Sequence, residues 1–160
     1  MQFLNVDYKN LNIKEEICLS IGNFDGIHKG HNKILEKLKN EASSLNAKSA
    51  ILSFDPHPKF YFDNTMRFLI NSKQKKINIL EQKNIDYLID LKFNQELIDL
   101  SYSDFENKIL YENLKLKKIL IGNDFRYGNK RKGDIETLKS FCEKASILYE
   151  NIDLLEDDKN

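Results

Sequence analysis

The segment Gly22-Asn23-Phe24-Asp25-Gly26-Ile27-His28-Lys29-Gly30-His31 holds the residues best suited to chemistry in this chain. Two histidines three apart, with a glycine between them, fall where an apolar strand pattern turns into a helical one. The first turn of a helix presents unpaired N–H groups and the positive end of the dipole, a ready site for phosphate. His28 and His31 can donate hydrogen bonds or carry charge near neutral pH, and Gly30 lets the backbone approach the same anion. Such a cradle suits attack on a nucleotide α-phosphate, which needs positioning and stabilisation of charge on the phosphoryl oxygens and the departing pyrophosphate. The segment carries neither G-x-G-x-x-G nor the terminal G-K-[ST] of a P-loop, so neither standard phosphate loop fits.

All three histidines, both prolines and all six glycines of the chain fall in Gly22–His31, Asp55–Pro58 and Gly122–Gly133. Two prolines in Phe54-Asp55-Pro56-His57-Pro58 stiffen a loop that holds Asp55 and His57 in place. The aromatic run Phe60, Tyr61 and Phe62 follows, with at least two of its rings expected in the core. In the third stretch, Lys130, Arg131 and Lys132 are either a solvated charge run or, one or more of them, phosphate contacts, and Arg126 is a further candidate phosphate contact. Asp25, Asp55 and Asp124 offer oxygens of the kind that, with ATP phosphates, serve Mg²⁺.

The ten-residue form G-N-F-D-G-x-H-x-G-H resembles the first signature of nucleotidylyltransferases, and more narrowly that of the FMN adenylyltransferase domain of bacterial bifunctional riboflavin kinase/FMN adenylyltransferases. Phe54 to Pro58 match the F-D-P-H-P segment of the same family, and Gly122 to Gly133 resemble its G-x-D-F-x-F-G-x-x-x-x-G segment, with Tyr127 in the second aromatic place. The resemblance runs over nearly the whole chain and implies the reaction ATP + FMN → FAD + pyrophosphate, with no enzyme-bound intermediate. It implies catalytic roles for His28 and His31, and an ATP site from Gly22, Asn23, Phe24, Asp25, Gly26, His28, Gly30 and His31. On the flavin side it implies Asp55, Pro56, His57 and Pro58, with Asn123 and Asp124 either contacting the flavin phosphate side or ordering Mg²⁺ through water, the metal's ligands being otherwise open. The family's S-S-T-x-I-R segment has no counterpart within residues 1–160, since Ser43-Ser44 is followed by Leu45, and no riboflavin kinase domain is expected within them. The expectation is one adenylyltransferase domain over residues 1–160, a fragment or a short form with weakened ATP binding, whose FMN comes from a kinase on a longer chain or a separate protein. The alternatives are a flavin- or nucleotide-binding module without catalysis, and nucleotidyl transfer to another phosphorylated acceptor.

The elements that must hold these loops follow from apolar patterning. Ile17–Ile21, Ala50–Phe54, Tyr87–Leu91 and Ile119–Ile121 read as buried strands, with a weaker one at Ile147–Tyr149. Helices are expected from about His31 to Leu45, from a cap at Ser72 to about Lys83, from a Ser103/Glu106 capping box to about Asn113, and after Asp134. Alternating strands and helices give an α/β fold, an open parallel sheet with helices on both faces, and the resemblance makes it Rossmann-like, of the nucleotidylyltransferase type. Each special stretch follows a strand, so all three are expected at one sheet edge, where such folds bind ligands. Lys plus Arg balance Asp plus Glu at 25 each, so no global field draws nucleic acid or an anionic membrane. No apolar run reaches membrane-spanning length, Cys18 and Cys142 read as ordinary buried thiols, and a cytoplasmic location is expected.

Overall fold

The computed structural model describes residues 1–24, 29–62 and 70–153. Six strands form one sheet: β1 (Gln2–Val6), β2 (Glu16–Ile21), β3 (Lys48–Asp55), β4 (Tyr87–Lys92), β5 (Lys115–Gly122) and β6 (Leu148–Ile152). Their order is β1-β4-β3-β2-β5-β6, and every neighbouring pair is parallel. The central strands are buried on both faces, which is why Ile17–Ile21 and Ala50–Leu52 show no polar alternation beyond a buried serine.

Helices α1 (Lys29–Ser44) and α3 (Ile70–Gln82) make the crossovers from β2 to β3 and from β3 to β4. They cover one face, where Ile34, Leu35, Leu38, Ala42 and Leu80 pack with Cys18, Ile51, Leu88 and Leu120. The opposite face takes Ile17, Leu19, Leu52, Ile89 and Ile119 against α4 (Gln95–Asp99), α5 (Tyr102–Asp104, running on as a π-helical turn over Phe105–Tyr111) and α6 (Ile135–Ala145). The short α2 (Pro58–Phe62) follows β3. Cys18 and Cys142 are buried and free, as their patterns predict.

The chain leaves β2 toward β3 on one side and leaves β5 toward β6 on the other. The connections after β2 and β5 therefore diverge, and the crevice between these two strand ends is where open α/β sheets bind ligands.

Three sequence expectations are corrected. Ser72 lies inside α3, which starts at Ile70, so it is not the cap. The cap of α5 is Ser101, whose side chain accepts from the Asp104 N–H, and not Ser103; Glu106 is turned into the core instead of back to a cap. The last strand lies at Leu148–Ile152, displaced toward the C-terminus. Asp134 does cap α6, in a reciprocal pair with Thr137.

Candidate active site

The three stretches meet, in their described parts, around one cavity of about 730 Å³ at the C-terminal edge of the sheet. Gly22, Asn23, Phe24 and His31 line it from the first, His57 and Pro58 from the second, and Gly122, Asp124, Phe125, Arg126, Tyr127, Gly128, Lys130 and Arg131 from the third. Asp25, Gly26 and His28 lie outside the described residues. Gly30 sits in the first turn of α1. Asp55 and Pro56 are at the end of β3 without lining the cavity, and Asn123 is exposed beside Asp124.

His31 occupies the first turn of α1, half-buried, with its ring centroid 5.0 Å from that of Phe24. Phe24 holds a left-handed backbone, φ 54°, and is nonetheless buried, so the turn after β2 is fixed by packing its ring beneath the cavity. Phe54, Phe62, Phe93, Leu97, Ile98 and Phe105 form the apolar wall. Phe93 contacts Phe54, Tyr61 and Phe62 edge-on, at centroid distances of 5.9, 5.5 and 6.1 Å. Tyr61 and Phe62 are 38% and 71% exposed, which overturns the expectation that at least two rings of that run are core. Phe62 lines the cavity, and both rings pack edge-on against Phe93 from the short α2. Phe93, Leu97 and Phe105 carry no glycine, histidine or proline signal in the sequence; Phe93 directly follows β4, and its place at a strand end is the one feature that marks it.

The loop after β5 is held from below by Tyr127. Its N–H and C=O pair with Gly133 at 3.1 and 2.9 Å, and its ring stacks on Phe125 at 5.4 Å and 15°. The Tyr127 hydroxyl donates to the buried Glu106 carboxylate at 2.5 Å and shares a 2.9 Å hydrogen bond with Thr137. Burial pushes the Glu106 carboxyl above its ordinary range, against the opposing effect of the Tyr127 bond. The tyrosine hydroxyl is likewise driven upward, by burial and by that carboxylate. Arg126, Lys130 and Arg131 add positive charge to this rim, with Arg126 3.7 Å from Asp134.

A second polar group sits under the ends of β3 and β4, and nothing in the motifs announced it. Asp90, 1% exposed, lies 3.7 Å from both Lys73 and Lys76 of α3 and accepts a hydrogen bond from Ser53. Lys76 also donates to Ser53 Oγ at 3.2 Å and to the Asn23 carbonyl at 3.3 Å. Lys73 and Asn5 each donate to Asp55 Oδ2 at 2.8 Å. Burial raises the Asp55 carboxyl, but the Lys73 and Asn5 bonds with the nearby lysine charges outweigh it and hold the group below its usual range. Asp55 is thus engaged with protein cations. Among the described residues, no group of three or more His, Cys, Asp or Glu side chains is placed to hold a metal.

A family model described as FAD synthetase matches residues 10–160. Among similar proteins, a bifunctional riboflavin kinase/FMN adenylyltransferase of Buchnera aphidicola subsp. Schizaphis graminum is 35% identical over 148 residues, 87% of this chain and 47% of the relative. The one from the Acyrthosiphon pisum subspecies is 38% identical over 88% and 48%, and that of Haemophilus influenzae 31% over 94% and 49%. The chain therefore spans about half the length of the curated relatives it matches. A solved structure described as a macrolide-efflux protein from Streptococcus pneumoniae superposes with a TM-score of 0.77 at 18% identity, over 96% of this chain and 50% of that one. A universal stress protein from Archaeoglobus fulgidus gives 0.50 at 13% identity, over 88% and 94%. At these identities the superpositions speak for the fold alone. No helix among the described residues is long and apolar enough to cross a membrane.

Proposed function

The chain belongs to the FAD synthetase family, and we propose that it transfers the adenylyl group of ATP to the phosphate of FMN, yielding FAD and pyrophosphate. The observation that carries this reading is the single cavity in which an aromatic wall, a histidine at a helix start and a basic rim face one another. An FMN phosphate oxygen attacks the α-phosphorus of ATP, and the bond to pyrophosphate breaks, with no covalent enzyme intermediate. His31 and the α1 N-terminus, with His28, stabilise the charge that builds on the transferring phosphoryl group. Gly22, Asn23, Phe24, Asp25, Gly26 and Gly30 shape the ATP side. His57 and Pro58, with Asp55, Pro56, Asn123 and Asp124, shape the flavin side, and the isoalloxazine lies along Phe54, Phe62, Phe93 and Phe125. Arg126, Lys130 and Arg131 supply phosphate contacts.

Mg²⁺ is proposed to arrive with the ATP phosphates, whose oxygens supply ligands. The described residues do not fit a protein-built metal site, because Asp55 is taken by Lys73 and Asn5 while Asp124 is exposed on the cavity wall. FMN would reach the site from a riboflavin kinase, the second activity for which the relatives are named, and a cytoplasmic location fits both substrates.

The test mixes the 160-residue chain with ATP, Mg²⁺ and FMN and looks for FAD by chromatography. FAD is expected, and His31→Ala is expected to lower turnover by about a hundredfold or more while the domain stays folded. FMN binding without any FAD would overturn catalysis in favour of a binding module, and full turnover in folded His31→Ala would remove that residue from the mechanism.

A further inference from the structure

The two loops proposed to carry the two substrates leave adjacent strands, β2 and β3, and each is fastened at its root to the same buried carboxylate. At the first loop, Lys76 holds the Asn23 carbonyl at 3.3 Å, and the Asn23 side chain accepts the Phe54 N–H at 3.3 Å. At the second loop, Lys73 and Asn5 hold Asp55, whose carbonyl accepts the Phe93 N–H at 2.9 Å. Both lysines project from α3 toward Asp90. The Lys76 side chain is 9% exposed and that of Asp90 1%, whereas Lys73 and Asp55 are about one-third exposed. A buried carboxylate between two ammonium groups is electrostatically costly to separate, and losing one partner leaves an uncompensated charge. Independent movement of the loop roots would therefore break one of the contacts that join them through Lys76, Asp90 and Lys73.

We infer that Asp90, acting through Lys76 and Lys73, is a positioning residue that fixes the nucleotide-side loop relative to the flavin-side loop. The role in turnover rests on the adenylyl-transfer reading, whereas the mechanical coupling does not. In-line transfer depends on sub-ångström placement of nucleophile and phosphorus, and a misplacement of about 1 Å can cost on the order of a hundredfold in rate. The chain brings these groups together through parallel pairing that sets Ser53 opposite Asp90. A helix then places Lys73 and Lys76, three residues apart, on the face that looks down on them.

The test compares wild type with Asp90→Asn, which keeps the shape of the side chain and removes its charge. Lys73→Met and Lys73→Arg are measured beside it, because Lys73 is exposed enough for both to fold. Amide hydrogen exchange at Phe54 and Phe93 is expected to quicken together, by about tenfold or more, in Asp90→Asn and Lys73→Met, with Leu120 unchanged. Turnover is expected to fall by about tenfold or more in the same variants, with the separate dissociation constants for ATP and FMN changed less, and Lys73→Arg should restore it. Exchange that stays at wild-type rates, or quickens at one loop alone, overturns the coupling. Wild-type turnover in a variant whose loops exchange faster overturns the positioning role. If wild type itself makes no FAD, the adenylyl-transfer reading fails, and the exchange comparison still decides whether Asp90 couples the loops.

Discussion

Gly128 sits in the loop that walls the cavity, and its backbone has φ 79°, a region that side chains rarely adopt. A Cβ built there would lie 2.6 Å from the Cα of Tyr102, against backbone that has no room to yield. Both effects oppose substitution, so Gly128→Ala is expected to destabilise the domain by roughly 1–3 kcal/mol. Urea unfolding monitored by circular dichroism reads this as a lower midpoint, and a wild-type midpoint would mean that the loop and α5 are not in contact. At this scale the sequence was most informative where residue type was rare. Glycine and histidine in a lysine- and asparagine-rich chain marked Gly22, His31, His57 and Gly128, and all of them line the cavity. It was silent on Lys73, Lys76 and Asp90, because lysine and aspartate are everywhere in this chain and only the strand register shows which ones meet. The spacing of Glu106 to Ser103 points to a capping partner, but the hydrogen bond that claims it comes from Tyr127, 21 residues away.

Three of the helices that cross from strand to strand, α1, α3 and α6, end in the same way. Asn46, Asn84 and Ser146 take left-handed backbone with φ of 54°, 61° and 60°. The next residue, Ala47, Ile85 or Ile147, donates its N–H to the carbonyl five positions back, at 2.8, 3.1 and 2.9 Å. This is a Schellman closure with an apolar residue just beyond it, and it aims each chain into the following strand. Asparagine tolerates the left-handed region, but serine gains little there. Ser146 is exposed, so Ser146→Gly relieves the strain without removing a contact from the core. The expected gain is roughly 0.5–1 kcal/mol after the added chain entropy of glycine, or about 2–3 °C in Tm for a domain of this size. A Tm at or below wild type in calorimetry would show that Ser146 is relaxed as it stands. These closures explain why helix existence was legible but helix ends were not: the usual glycine signal is absent, since no glycine of the chain stands at these three helix ends. The strand at Gln2–Val6 escaped notice for a related reason. It lies at the sheet edge beside β4, and its exposed Gln2, Phe3 and Asn5 among half-buried Leu4 and Val6 show no clean alternation that would mark a strand.

For the molecule as a whole, equal numbers of basic and acidic residues leave no net field at neutral pH, so the pH dependence of stability is set by individual groups with shifted titration. Two carboxyls pull in opposite directions. Asp55 is held below its ordinary value of 3.8 by Lys73 and Asn5 in spite of burial, so the unfolded chain binds more protons just below that value. Its contribution is present above about pH 3.8 and is lost as pH falls through the lower folded value. Glu106 is raised above 4.5 by burial, which the Tyr127 hydrogen bond only partly offsets, so here the folded state holds the proton more tightly. Stability from this group is complete below pH 4.5 and declines as pH rises through the folded value. Glu106→Gln keeps the size and an acceptor for the Tyr127 hydroxyl while removing that titration. The stability of the variant relative to wild type is therefore expected to increase with pH from about 4.5 and to level off above the raised value. Denaturant midpoints taken across pH 4 to about 8 in both proteins measure this difference directly. A difference that stays flat would mean that Glu106 titrates as it does in the unfolded chain, and that the loop over α6 rests on the Tyr127 pairing with Gly133, the bond to Thr137 and the ring stack with Phe125.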